Sequence, residues 1–158
     1  MKSDLDHLME QRGYAALLAM GGTAHNPPMY YLANGAAITE RSVLVKRRGE
    51  EPVLFVGSME REEAQRSGLR VIDGTAARLH EQMRAASGDM LQATARWLGG
   101  MLREAGVESG TVAAYGQSDT GEAYALLTAL SELNPQYNFV GEFDHTVLDA
   151  AMLTKSPE

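Results

Sequence analysis

Between Gly13 and Gly21 seven residues, 14–20, run without a charged side chain. That length, bounded by glycines, predicts a short buried strand, against which only its alanine-rich content speaks. Before it, Ser3 is placed to cap a helix over 4–12, with Leu5, Leu8 and Met9 on one face and Gly13 as its stop. After it, Gly21-Gly22 and Pro27-Pro28 punctuate a loop over 21–28, and the aromatic run 30–32 predicts a short strand ended by Asn34-Gly35. Two strand-like runs, 42–46 and 52–56, flank a Gly49-containing turn and predict a hairpin. Ser58 would cap a short helix over 59–66, with Glu60, Glu62 and Glu63 on a solvated first turn that suits the helix dipole. Gly68 ends it, and 69–72 reads as another strand.

The second half alternates in the same way. Helices are predicted over 75–86 and 87–105. In the latter, Met90, Leu91, Trp97, Leu98, Met101 and Leu102 form an apolar stripe, and Gly106 stops it. Gly99-Gly100 inside that helix works against its stability. A strand over 111–115 leads to a helix capped by Ser118 or Asp119 and running to about Leu133, with Leu126, Leu127, Leu130 and Leu133 inward. Asn134-Pro135 terminates it; 137–140 predicts a last strand and 146–153 a last helix. The pattern is α/β, and the hairpin requires a mixed β-sheet, not a purely parallel one.

Composition narrows the function classes. A chain of 158 residues, 44% apolar and 22% charged, has the size and make-up of one globular domain. No cysteine is present, which excludes disulfide scaffolds, thiol nucleophiles and cysteine-held metals. The net charge of −7 opposes nucleic-acid binding, which draws its affinity from Lys and Arg against phosphates. Lys46-Arg47-Arg48 is the one basic run, and Gly49-Glu50-Glu51 after it makes it one flank of a turn. The chain offers neither a bilayer-length apolar segment nor a signal-peptide pattern at its start, so no membrane partner is expected and a cytoplasmic location follows by default.

Self-contained catalytic patterns are missing. His7, His25, His80 and His145 are isolated from one another, without the spacing of a metal motif. Gly21-Gly22 follows a strand, but Pro27-Pro28 stand where a dinucleotide loop would open its helix. The strand-to-helix turn 116–121 could hold an anion, yet it contains no Lys and its Ser118 or Asp119 is explained by capping. No Gly-x-Ser-x-Gly elbow is present. Segment 23–31 stands apart, because it gathers His25, Asn26, Tyr30 and Tyr31 around a stiff Pro-Pro turn. Two readings stay open for it: a ligand-contacting loop after the first strand, or a rigid connection with a buried tyrosine.

The order of these segments resembles the N-terminal domain of the creatinase, prolidase and aminopeptidase P family. Residues 28–35, Pro-Met-Tyr-Tyr-Leu-Ala-Asn-Gly, are similar to its Asn-x-x-Tyr-Leu-Thr-Gly segment: Tyr31, Leu32 and Gly35 match, and Ala33 and Asn34 stand across the Thr position. Val43–Val45, Gly49, Pro52–Val56 and Met59–Ala64 resemble its hairpin and following helix. Leu153-Thr154-Lys155-Ser156-Pro157-Glu158 is similar to the Lys-Ser-Pro-Glu-Glu junction that opens its catalytic domain.

The resemblance implies a mixed β-sheet flanked by helices on both faces, in a ribonuclease H-like layout over residues 1–153, with 154–158 as the start of the junction. It implies a non-catalytic domain of a Xaa-Pro dipeptidase or aminopeptidase P-like metallopeptidase, separated from its pita-bread catalytic half. That half would carry two divalent ions, manganese, cobalt or zinc, so no cofactor and no catalytic residue is expected in this chain. The implied partners are the chain's own C-terminal catalytic domain and a second copy, as a homodimer. The loop 21–30 would approach the partner's active site, which singles out His25, with Tyr30 and Tyr31 as pocket-wall or core residues. That loop is also expected to be mobile in the isolated domain. A creatinase-like, metal-independent parent and a stand-alone α/β binding module are the competing readings.

Overall fold

The computed structural model describes residues 3–39, 41–73 and 75–154. Its strands are β1 (Tyr14–Met20), β2 (Val43–Arg47), β3 (Val53–Phe55), β4 (Arg70–Ile72), β5 (Gly110–Gly116) and β6 (Tyr137–Val140). Its α-helices are α1 (Ser3–Arg12), α2 (Pro27–Leu32), α3 (Arg61–Gln65), α4 (Thr75–Ala85), α5 (Met90–Glu104), α6 (Thr120–Leu133) and α7 (Val147–Leu153). The strands form one sheet in the order β4-β3-β2-β1-β5-β6. The hairpin β2–β3 and the pair β1–β2 are antiparallel; β3–β4, β1–β5 and β5–β6 are parallel. The mixed sheet expected from the hairpin is therefore present.

Strand β1 is buried on both sides. Ala16 and Leu18 face a core shared with Leu98, Met101 and Leu102 of α5 and Leu130 of α6. Leu17 and Ala19 face the opposite core, with Leu5 and Met9 of α1, Met29 and Leu32 of α2, and Val147 and Leu148 of α7. Each fully buried leucine contributes about 1.5–3 kcal/mol. Helix α4 packs against α5.

Several local expectations are corrected. Residues 30–32 are not a strand. The Asn26 side chain accepts from the Met29 N–H, Pro27 and Pro28 occupy the first helical positions, where no N–H is needed, and the aromatic run is the body of α2. Asn34-Gly35 then ends a helix. Ser58 is no cap: it lies inside a 3-10 turn, Ser58–Glu60, that precedes α3. Helix α5 starts after Asp89, whose side chain accepts from the Gln92 N–H, and not at residue 87. Met90, Leu91 and Leu133 are exposed, so the stripes on α5 and α6 are shorter than the sequence pattern suggests.

The acidic run is also not a solvated face throughout. Glu60 is buried, and its carboxylate accepts from the Thr39 N–H at 3.0 Å and from the Thr39 hydroxyl. Glu63 accepts from the Ala37 N–H at 3.1 Å and pairs with Arg66 at 2.7 Å. Only Glu62 of the three is exposed. Lys46 belongs to no basic patch. Its side chain is 1% exposed, and its ammonium donates to Asp6 Oδ1 at 2.5 Å, to the Arg47 carbonyl at 2.9 Å and to the Glu50 carbonyl at 2.7 Å. All three ammonium hydrogens are thus used. Of residues 154–158, only Thr154, the C-cap of α7, lies within the described chain.

A buried carboxylate fixes the loop between β6 and α7. The Glu142 side chain is 3% exposed. Its Oε1 accepts from Arg12 Nη1 at 2.9 Å and from the Tyr14 hydroxyl at 3.1 Å. Its Oε2 accepts from the Val147 N–H at 3.0 Å and from the Tyr115 hydroxyl. Burial, and next the hydrogen bond to this carboxylate, raise the pKa of both tyrosines above the ordinary 10.0.

The paired glycines of α5 differ in kind. A Cβ on Gly99 would lie 2.8 Å from Cγ of Asn134. Asn134 is buried and cannot swing away freely, because it donates to the Leu130 carbonyl at 2.9 Å and accepts from Arg103 Nη1 at 3.1 Å. A Cβ on Gly100 would meet nothing nearer than 4.0 Å. Gly100→Ala should therefore stabilise the chain by about 0.5–1 kcal/mol through helix propensity. Gly99→Ala should destabilise it by about 1–2 kcal/mol, because overpacking outweighs that gain. Urea midpoints at constant slope measure both; equal signs would refute the distinction.

Glu142→Gln should cost about 1.5–3 kcal/mol, the range for hydrogen bonds to a charged group. The tyrosines set a second expectation. Above about pH 10 the unfolded chain releases phenolic protons that the folded chain keeps, so stability falls as pH rises through that range. Tyr115→Phe should shallow that decline, read from urea midpoints between neutral and strongly alkaline pH.

Candidate functional site

The segment between β1 and α2 lies over the C-terminal ends of two adjacent parallel strands, where Met20 of β1 pairs with Gly116 of β5. Ligands of open α/β sheets gather at such strand ends. The segment is not a free loop. Gly21 donates its N–H to the Ser42 carbonyl at 2.9 Å. The Thr23 N–H donates to the Ile38 carbonyl at 2.8 Å, and the Thr23 hydroxyl accepts from the Ile38 N–H at 2.9 Å. Asn26 is buried and donates to the carbonyls of Met20 and Gly22, both at 3.0 Å. A Cβ on Gly22 would stand 2.9 Å from the Ile38 carbonyl oxygen, so glycine is what lets the two backbones approach. These bonds tie down the segment that the sequence expectation left mobile.

His25 sits at the tip. Its side chain is exposed, its φ is +54°, and its carbonyl accepts from the Gln117 side chain just past β5. Tyr30 and Tyr31 lie on the first turns of α2. Pro27, Tyr30, Tyr31, Asn34, Gly35 and Met152 line a cleft of about 400 Å³ between α2 and the end of α7. Tyr30 is half exposed and lies over Gly35, where a Cβ would come within 3.3 Å of its hydroxyl. Tyr31 is half-buried; burial first, and the Asp4 charge second, raise its pKa above 10.0. The cleft thus joins two of the three predicted site residues, and His25 is not among its lining residues.

Nothing in the sequence ties Met152 or Gln117 to this segment. Neither carries a local signal, since each meets the segment from an element distant in sequence. In the sequence Asn34 marks the end of the aromatic run and, with Ala33, stands across the Thr position of the resemblance. It holds the left-handed φ of +54° and donates to the Ser67 carbonyl at 2.9 Å.

The remaining candidates resolve simply. Asp119, not Ser118, caps α6, accepting from the Gly121 and Glu122 N–H groups at 2.8 and 3.2 Å, so that helix end is already occupied. His7 bonds the Gln11 side chain at 3.0 Å, and His145 is exposed beside Asp144. Among the described residues no three His, Asp or Glu side chains come together as a metal site. No described helix is long and apolar enough to cross a membrane.

No protein-family model matches the chain, and no curated protein matches it. Solved structures do. A dipeptidase from Pyrococcus horikoshii OT3 superposes with a TM-score of 0.62 at 15% identity, over 99% of this chain and 37% of that one. The N-terminal domain of Xaa-Pro dipeptidase from Lactobacillus brevis superposes with a TM-score of 0.52, also at 15% identity, over 96% of this chain and 100% of that one. The present chain therefore spans little more than a third of the length of the Pyrococcus enzyme. Sheet order, helical layers and these superpositions agree: the chain has the fold of the N-terminal domain of Xaa-Pro dipeptidase.

Proposed function

We propose that this chain is the non-catalytic N-terminal domain of a Xaa-Pro dipeptidase or aminopeptidase P-like metallopeptidase. One observation carries the reading: the likeness is coextensive with a whole N-terminal domain in one protein and with only part of an enzyme in another. The chemistry would reside in a catalytic half working with two divalent ions, manganese, cobalt or zinc. The described residues offer no cluster to hold such ions, so no reaction step is assigned to them. The domain's part would be structural: packing against its own catalytic domain, contributing to a homodimer, and walling the substrate pocket. A cytoplasmic setting goes with that role.

Within the domain, the tied segment 21–26 and the cleft of Tyr30 and Tyr31 are the surfaces offered to the pocket. His25 is the residue proposed to meet substrate. Its ring projects from a braced backbone, and an imidazole can both donate and accept hydrogen bonds.

The direct test is hydrolysis of Xaa-Pro dipeptides with added manganese, cobalt or zinc, by the natural full-length product and by residues 1–158 alone. Turnover by the full-length protein and none by the domain is expected. Turnover by the domain itself would overturn the reading, as would a full-length product inactive on every Xaa-Pro dipeptide. In the active full-length enzyme, His25→Ala should lower kcat/KM about tenfold, equivalent to about 1.4 kcal/mol, with the melting temperature unchanged. Unchanged kinetics would leave the loop a connector.

A further inference from the structure

On the opposite side of the sheet a larger cleft, of about 610 Å³, opens between α4, α5 and the C-terminal end of α6. Small-molecule sites occupy about 300–1,000 Å³. Trp97, Met101 and Leu133 give it an apolar wall, and Arg78, Arg96 and Arg103 give it three guanidinium groups. Their charges are not equally available. Arg78 is paired with Glu104. Arg103 is bonded to the neutral amide oxygen of Asn134 at 3.1 Å, which uses one of its donors and none of its charge. Arg96 has no hydrogen bond or ion pair among the described residues. Against these two free cations stands one unpaired lining carboxylate, Glu81. The cleft keeps one positive charge in excess on a protein whose net charge is −7.

The second observation is chemical. Nε1–H of Trp97, the chain's single tryptophan, is buried and has no acceptor among the described residues. A buried indole donor ordinarily finds a partner, and leaving one unmade is costly. The cleft therefore combines two available guanidiniums with an aromatic and aliphatic wall, while the indole N–H is itself closed to solvent.

We propose that this cleft binds an organic monocarboxylate with an apolar or aromatic body. Arg96 and Arg103 hold the carboxylate, since a guanidinium matches its two oxygens in a fork. The body lies against Trp97 and Leu133. A single excess positive charge suits a monoanion better than a phosphate dianion, which would also face Glu81. The site lies apart from the β1–α2 segment and does not depend on the role proposed for it.

Because Trp97 is the chain's only tryptophan, its fluorescence reports on this cleft alone. Residues 1–158 would be titrated with N-acetylphenylalanine, with its neutral amide, and with inorganic phosphate. The acid should give a saturable change and the amide and phosphate none. Arg96→Gln, at an exposed position without partners, should fold normally and raise the Kd for the acid at least about tenfold, as loss of a charged hydrogen bond does. No saturable change, an equal response to the amide or to phosphate, or an unchanged Kd in Arg96→Gln would overturn the proposal. Calorimetry on Leu133→Ala, at an exposed position of the wall, should show weaker binding of the acid; unchanged affinity there would overturn the wall's part.

Discussion

Strand β1 has no solvent side, and the architecture follows from that. Its alternate residues feed two separate cores, Ala16 and Leu18 into one and Leu17 and Ala19 into the other. A strand of this kind cannot lie at an edge or under a single layer, because one row of its side chains would meet water. It needs hydrogen-bonded neighbours on both sides, which β2 and β5 provide, and helices above and below. Small alanines along it let the helical layers approach closely, so much of the core volume comes from the helices. The parallel partner β5 then brings two C-terminal strand ends together, and the β1–α2 segment is laid across them.

Around that apolar centre, three buried charges fasten irregular stretches of chain to regular ones. Lys46 holds the hairpin turn, Glu60 holds the approach to β2 through Thr39, and Glu142 holds the β6–α7 loop. A buried charge is tolerable only when paired or fully hydrogen-bonded, so each can exist only with its loop in place. Helix α1 serves two of these knots. Asp6 near its start meets Lys46 and the Gly49 N–H, and Arg12 at its end meets Glu142 and the His145 carbonyl. One short helix thus couples the antiparallel half of the sheet to the parallel half.

What the sequence discloses and what it hides divide along the same line. The strands and most helices were legible because period, length and glycine stops are local. The failures came where a distant residue decides the outcome. Gly99 looks like a helix weakness until Asn134, from the end of α6, occupies the space where a Cβ would sit. Glu60 and Lys46 look like surface charges until Thr39 and Asp6 bury them. The error at 30–32 was of another sort, since its signal was local and present: Asn followed by Pro-Pro is a helix start, yet the aromatics after it suggested a strand. Within the candidate site, Tyr30 and Tyr31 could be picked out from their segment, while Met152 completes their cleft from the far end of the chain.

Backbone strain gives the last step. Among the described non-glycine residues with positive φ, His25 and Asn34 bracket α2 on its two sides. Asparagine enters the left-handed region readily, and Asn34 gains a bond to the Ser67 carbonyl there. Histidine at φ +54° has less to recommend it, since the left-handed conformation costs about 1–2 kcal/mol that glycine would avoid. The surrounding bonds of Thr23, Asn26 and Gln117 hold that conformation in place. They do so with the imidazole in solvent, where it packs into neither core. His145 stands in the same way at φ +50°, its ring in solvent and its carbonyl held by Arg12, so in both cases a side-chain donor from a distant element fixes a left-handed turn.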